Sequence, residues 1–376
     1  MSEAMNQNFR PFPPVDLREM REQKLEKIRR QAQESRAAAG HLPEHLRENL
    51  PEYLPKAAGI APHATAKTGY YGLPLLKKPQ WTPGVPIYFF TGGVAGAAAI
   101  LASAGAITRS DERMVRDARY LAAIAGAISP ALLISDLGMP SRFLNMLRVF
   151  KLQSPMSVGS WTLMAFSSSA AGTALLDAVN HRNGNAFRFD VLQNAGQFLS
   201  AITGAVLMTY TGVLIGATAI PVWNENARML PMHFATSGLS AAGALLELLD
   251  HSSPALNAIG IATSMAESAV GASIELRKGP ALKPLKSGRS GRLTRLGGFL
   301  AGPLPLALRL LSLGTGKERS VKLRRIAAAS SVAGSMVTRF AWTSAGSASA
   351  KDTPTLLEIQ SEKLLEEKRR DALPLH

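Results

Sequence analysis

Hydrophobic residues in this chain are collected into long runs without any charged side chain, and the segments between the runs are crowded with Lys and Arg. Residues 86–108, 152–176 and 191–224 contain no Asp, Glu, Lys or Arg. A helix of about 20 residues crosses the hydrocarbon layer of a bilayer, and in lipid every backbone polar group must be satisfied within the segment. The pattern therefore predicts helices that span a membrane.

The predicted fold class is all-α, a polytopic integral membrane helical bundle with about eight transmembrane helices. The runs are rich in Gly, Ala and Ser, which lets helices approach closely in lipid, so we expect a compact bundle. Two of the runs are interrupted, one by Pro303, Pro305 and Arg309 and the other by Arg339. The continuous runs lie at 86–107, 119–136, 157–177, 195–218, 232–250 and 254–274, and the interrupted ones at 296–314 and 326–346.

The chain divides into three parts by composition. Residues 1–80 form a polar N-terminal extension, residues 81–350 the transmembrane domain, and residues 351–376 a charged C-terminal tail. Within the extension, residues 16–39 carry a thin apolar stripe among charged residues, which predicts an amphipathic helix. Such a helix either docks on a partner or lies on the surface of its own protein.

The charge and the cysteine count exclude several classes of site. The 376 residues include 42 Lys and Arg against 27 Asp and Glu, a net charge of +15, and no Cys. Because the basic residues flank the apolar runs, membrane topology and contact with lipid explain the charge, and we expect no nucleic-acid partner. Without Cys there is no thiolate metal site, no Cys-bound iron–sulfur cluster and no covalently attached c-type haem, so we expect no haem of that type and no iron–sulfur cluster in this chain.

An even number of spans places both ends of the transmembrane domain on one side, which we call the N face. The loops of this face carry slightly more Lys and Arg than those of the opposite face. Under the positive-inside rule this bias predicts cytoplasmic termini.

We single out seven ionisable residues of the runs, because ionisable residues at membrane depth are functional candidates. Three of them, Asp136, Asp177 and His233, lie near run ends, where helix capping or an interfacial salt bridge is an equally open interpretation. Glu267 and Arg339 lie deeper, and as a pair they would form either a structural lock or one step of a proton relay. Our candidates for proton transfer are Asp136, Glu267, Glu247 and Arg339. The full set is Asp136, Asp177, His233, Glu247, Glu267, Arg309 and Arg339.

The most distinctive local pattern joins the second and third runs. Residues 132–151 read LLISDLGMPSRFLNMLRVFK, and residues 154–161 read SPMSVGSW. The pattern is typical of a span that ends in a Gly/Pro turn, followed by a short amphipathic helix and a Ser-initiated next span. A helix lying at the membrane surface in this way closes one side of a pocket at the membrane boundary.

This stretch resembles the signature of the NrfD/PsrC family, the membrane subunits of nitrite-reductase and polysulfide-reductase complexes. Residues 81–93, WTPGVPIYFFTGG, and 210–214, YTGVL, are similar to the family's first and fourth spans, and the resemblance covers about 80–350. It implies an eight-helix bundle of two four-helix halves in the bacterial inner membrane. The expected subunit holds no metal and is not catalytic alone.

The resemblance also implies a cofactor and partners. Electrons would pass between non-covalently bound menaquinone or ubiquinone and a four-cluster ferredoxin-like iron–sulfur subunit. That subunit would serve a catalytic subunit of molybdopterin or multihaem type, and membrane lipid would surround the bundle.

The family's quinone pocket maps onto Tyr210 with Gly212 and onto Leu133 with Asp136. We add Arg142 and Tyr88, because odd spans begin and even spans end at the N face. The Tyr210 phenol would donate a hydrogen bond to a quinone carbonyl, and the Asp136 carboxylate would exchange protons.

Two alternatives stay open at this point. Broken helices and charges at membrane depth are typical of transporters, so Glu267, Arg339 and the interrupted seventh run are compatible with a transporter or ion channel. The first run offers only Pro, Tyr, Phe and Thr where relatives carry Asn and His, which is compatible with a membrane anchor that lacks a working quinone site.

Overall fold

The computed structural model describes residues 76, 78, 79, 81–136, 141–183, 189–352, 355 and 359, except for the side chains of Arg142 and Asn183. All regular structure in these residues is helical, which confirms the all-α prediction. Eight long helical segments follow one another: α1 (Gly84–Ile107), α2 (Glu112–Asp136), α3 (Pro155–Asn183), α4 (Asp190–Gly216), α5 (Met229–Leu248), α6 (Pro254–Leu276), α7 (Gly288–Leu313) and α8 (Lys317–Ser349).

The segment α7 is broken where the sequence analysis expected an interruption. Its two parts are Gly288–Ala301 and Pro303–Leu313, with Gly302 between them. Pro303 starts the second part, a position that needs no backbone N–H. Short helices occupy the connections at Arg142–Met146, Pro221–Asn224 and Lys283–Lys286, with a 3-10 turn at Pro280–Leu282.

Several predictions fall on residues outside this description. They include nearly all of the extension 1–80 with its amphipathic helix, the turn at 137–140, the side chain of Arg142 and most of the tail beyond 352. The three-part division of the chain therefore stays a prediction.

Among the described helices, five are long and apolar enough to cross a membrane by length and composition: α1, α2, α3, α4 and α7. The protein is accordingly a multi-pass membrane protein. An interruption in the run does not decide which helices qualify, since α7 qualifies while α5 and α6, whose runs are uninterrupted, do not. The physical reason is that α5 and α6 bury polar residues such as His233 and Glu267, which lower their hydropathy.

The eight segments form two closed four-helix halves. Within the first half, α1 to α4 pack each against the next, and α4 packs back on α1; α5 to α8 repeat this arrangement. The halves meet where α1 and α4 pack on α5 and where α1 contacts α8. Buried along most of its length, α1 is thus the central helix of the bundle.

Two glycine pairs allow α1 to approach its neighbours. A β-carbon built on Gly96 would collide with the carbonyl oxygen of Gly204 in α4, and one built on Gly238 in α5 would lie 2.8 Å from the carbonyl oxygen of Gly93. Close backbone approach is how helices gain packing energy in lipid. These crossings therefore hold α1 against both halves.

We expect Gly96→Ala to lower the free energy of unfolding by about 2 kcal/mol, because the new methyl group meets backbone that cannot move aside. The measurement is the thermal unfolding midpoint in detergent. Gly172→Ala is the matched control, since no heavy atom lies within 4 Å of a β-carbon built there. Equal midpoints for the two variants would contradict the close crossing of α1 and α4.

Candidate functional site

The N-face ends of α1 and α2 are joined through Asp136. Its Oδ1 accepts hydrogen bonds from the Thr82 backbone N–H at 3.0 Å and from the Thr82 hydroxyl at 2.6 Å. The other carboxylate oxygen, Oδ2, has no hydrogen-bond partner among the described residues. Asp136 therefore anchors the start of α1 and still has one oxygen available.

Two buried tyrosines lie near the N-face ends of α1 and α4. Tyr88 is 2% exposed and Tyr210 is 7% exposed, and the two phenols are near enough to interact electrostatically. The Tyr210 ring lies directly over Gly159 of α3, where a β-carbon would overlap it. Neither hydroxyl has a hydrogen-bond partner among the described residues, and neither is one of the fully buried polar atoms without a partner, so two largely buried rings carry hydroxyls that remain available as donors.

The other quinone candidates have different surroundings. A β-carbon on Gly212 would lie 2.6 Å from the backbone of Leu230 and Pro231, so this glycine is needed for packing of α4 on the start of α5. Leu133 packs against the hydrophobic core. Arg142 begins the short helix after α2. Tyr88 and Tyr210 both lie near the N-face ends of their helices, while Asp136 contacts Thr82.

Next to the tyrosines, an aromatic cluster joins the two halves. Trp81 stacks on Trp223 with ring centroids 5.1 Å apart and contacts Phe89 edge-on at 5.9 Å. The indole N–H of Trp223 donates to the carbonyl oxygen of Trp342 in α8 at 2.9 Å. Phe89 in turn lies 6.1 Å from Phe234 of α5. The N-face ends of α1, α5 and α8 are consequently held in a fixed arrangement.

A second buried cluster lies between α5, α6 and α8. His233 Nδ1 is 3.5 Å from Oε2 of Glu267, and Glu267 interacts electrostatically with Arg339. The Arg339 guanidinium lies 3.8 Å above the Phe234 ring, and its Nη2 donates to the Phe234 carbonyl oxygen at 2.8 Å. Glu267 and Arg339 do not form the direct ion pair that the sequence suggested, and His233 is the closer partner of the carboxylate.

This cluster is incompletely hydrogen-bonded. Four of its buried polar atoms have no hydrogen-bond partner among the described residues: His233 Nδ1, Glu267 Oε1, and Nε and Nη1 of Arg339. A cavity of about 20 Å³ adjoins His233 and Glu267, which is room for about one water molecule. Since buried polar groups are nearly always bonded, the cluster is suited to a bridging water or an exchangeable proton.

Glu247 belongs to a different site from Glu267. Arg309 binds its carboxylate through two hydrogen bonds of 3.0 and 2.6 Å, and Arg324 adds a third of 2.8 Å. Along α5, Glu247 is 14 residues beyond His233, a distance of about 21 Å. Two guanidinium groups hold Glu247 in place, and the distance along α5 separates it from the cluster of His233, Glu267 and Arg339.

Asp177 is likewise paired. It forms an ion pair with Arg119 and accepts a hydrogen bond from Nε2 of Gln193 at 2.8 Å, while Nε of Arg119 donates to Gln197 at 2.6 Å.

Sequence reasoning missed Arg119 and Arg324 as partners because both lie at the edges of the runs. The spacing of Gln193 and Gln197, four residues apart on one helix face, is the signal that indicates a polar site here.

The described residues contain no group of three or more His, Asp or Glu side chains that could hold a metal ion.

A protein-family model described as polysulfide reductase, NrfD_2, matches residues 67–350. No curated protein matches the chain.

We expect Glu247→Gln to lower the free energy of unfolding by about 3 kcal/mol, because removal of the carboxylate charge leaves Arg309 buried without compensation. The readout is the thermal unfolding midpoint in detergent. The control is Glu318→Gln, which breaks only the exposed pair with Lys322, worth about 0.5 kcal/mol or less. The double variant Glu247→Gln with Arg309→Gln should recover part of the loss, and no recovery would contradict the charge argument.

Proposed function

The chain belongs to the NrfD-type polysulfide reductase family, and from this premise we propose that it is the quinone-reactive membrane subunit of an oxidoreductase complex. It exchanges electrons between membrane quinone or quinol and an iron–sulfur partner. The observation that carries the proposal is the Tyr88 and Tyr210 pair, two buried phenols with free hydroxyls near the N-face ends of their helices.

The free phenols fit a quinone head group. A quinone supplies the chemistry of two electrons and two protons when it is bound. Each of its carbonyl oxygens needs a hydrogen-bond donor, and a phenol O–H is a donor that stays neutral near pH 7. Tyr88 and Tyr210 therefore hold and orient the head group, and the free Oδ2 of Asp136 takes up or releases protons at the N face.

The electrons must leave this chain through another protein, because a chain without Cys offers no thiolate ligand for an iron–sulfur cluster. We place a four-cluster ferredoxin-like subunit at the N face, next to the tyrosines. It would serve a molybdopterin or multihaem catalytic subunit. In this proposal the chain lies in the bacterial inner membrane with its termini in the cytoplasm.

Proton transfer deeper in the bundle is assigned to the cluster of His233, Glu267 and Arg339. Glu267 has one carboxylate oxygen without a partner and a small cavity beside it, so it can gain or lose a proton without breaking a hydrogen bond. Glu247 is left out of this relay, since two arginines neutralise it.

Tyr210→Phe removes the hydroxyl and keeps the ring over Gly159. We expect quinol-dependent reduction of the partner's clusters to fall about tenfold, the effect of one lost hydrogen bond of roughly 1 kcal/mol or somewhat more. The assay follows cluster absorbance in the purified complex after addition of a short-chain quinol. Tyr120→Phe on α2 is the control and should behave as wild type.

The alternatives give different results in the same preparation. A chain that purifies without a partner and binds no quinone analogue would be an anchor, and ion flux in proteoliposomes without any redox partner would indicate a transporter. Either result would refute the proposed function.

Glu267→Gln keeps the shape of the side chain and removes its ability to carry a proton. We expect quinone-analogue binding to be unchanged while quinol turnover falls at least about tenfold. Glu275→Gln, on the same helix but in an exposed pair with Arg295, is the matched control. Wild-type turnover in Glu267→Gln would remove this cluster from the proton path.

A further inference from the structure

A wide crevice opens at the N face, and neither Tyr88 nor Tyr210 lines it. It lies between the segment before α1, the start of α7 and the end of α8, and its volume is about 680 Å³. Neither the electron transfer nor the proton relay proposed above uses it. Four of its lining residues are basic: Lys78, Lys283, Arg289 and Lys351.

The charges of these four residues are not neutralised within the described part of the chain. None of them forms an ion pair there, whereas other basic residues of the same face do, such as Arg277 with Glu225 and Arg295 with Glu275. The one acidic lining residue, Asp352, accepts instead from the backbone N–H and the hydroxyl of Thr355, at 3.3 and 2.8 Å. Like charges around one crevice repel each other, so a bound anion would stabilise this arrangement.

The start of α7 adds further donors to the basic rim. The hydroxyl of Ser287 donates to the Lys283 carbonyl oxygen, so no side chain caps the helix, and its first turn contains no acidic residue. The amide N–H groups of the first turn, next to Arg289, are therefore available. Helix N-termini of this kind favour negatively charged groups, phosphate in particular.

The character of the crevice changes with depth. Along α8 the lining runs from Lys351 at the rim, past the hydroxyls of Ser347 and Thr343, to Phe340, which faces the crevice together with Pro86 of α1. Lys351 and Phe340 are 11 residues apart, a rise of about 16 Å along a helix, which is roughly half the thickness of the hydrocarbon layer. A ligand that fits carries an anionic head and an apolar tail.

We propose that the crevice binds one anionic phospholipid, with its phosphate between Lys283, Arg289 and the first amides of α7, and an acyl chain directed toward Phe340. Basic pockets between transmembrane helices bind lipid head groups of this type. The apolar depth distinguishes the lipid from free phosphate or a nucleotide, which would fill only the rim. The proposal does not rest on quinone binding, since neither Tyr88 nor Tyr210 lines the crevice.

The test uses the full chain in nanodiscs that contain equal amounts of phosphatidylglycerol and phosphatidylcholine, released for native mass spectrometry. Wild type should retain one phosphatidylglycerol. The double variant Lys283→Gln with Arg289→Gln should lower this retention about 25-fold, since each juxtamembrane cation contributes roughly fivefold. The control, Lys278→Gln with Arg292→Gln, removes the same charge from the same face outside the crevice and should retain the lipid.

A second variant keeps the basic residues of the crevice and fills its inner, apolar part. Ser347→Phe should reduce retention of phosphatidylglycerol while leaving the thermal unfolding midpoint in lipid-free detergent near that of wild type. Equal loss in the control variant would overturn the proposal, as would stabilisation by inorganic phosphate equal to that by the lipid. It would also be overturned if the crevice variant kept its lipid and lost only a co-purifying protein partner.

Discussion

The close crossing of α1 with α4 and α5 is the constraint on which the rest of the bundle depends. Gly96 and Gly204 bring α1 and α4 together, and Gly93 and Gly238 do the same for α1 and α5. Because Gly93 has no side chain, the Arg339 guanidinium also fits beside α1, where a β-carbon on Gly93 would lie 3.4 Å from Nη2. One central helix of small residues therefore positions both halves of the bundle, and Arg339 of the buried cluster with His233 and Glu267 packs beside it.

Charge burial separates the ionisable residues into structural and reactive groups. Glu247 with Arg309 and Asp177 with Arg119 are closed pairs, whose side chains are neutralised by their partners. A pair of this kind is costly to break but offers no free proton site. Glu267 differs because one of its oxygens is buried and without a partner. Our proposal of proton transfer through Glu267 therefore rests on its free polar atom and not on burial alone.

The helices could be predicted from the sequence, but the pairing of their side chains could not. Long apolar runs give the existence and order of the eight segments, and Pro303 shows where α7 breaks. The partner of Glu247 depends on how α5, α7 and α8 are rotated about their axes, and no one-dimensional pattern contains that rotation. The same limit applies to Gly212, which resembles a pocket residue in its motif and is required for packing against Leu230.

The two sites that we propose at the N face, one for a quinone and one for an anionic lipid, differ in their chemistry. Tyr88 and Tyr210 offer neutral donors in a buried setting, where a charged head group would lose its hydration without gaining a counter-charge. Lys283 and Arg289 offer fixed positive charge at a wide crevice, where a neutral quinone would gain little. Thr82 lines the crevice and also holds Asp136, so the two sites share one wall. A lipid seated against that wall would keep the start of α1 in position for the tyrosine site.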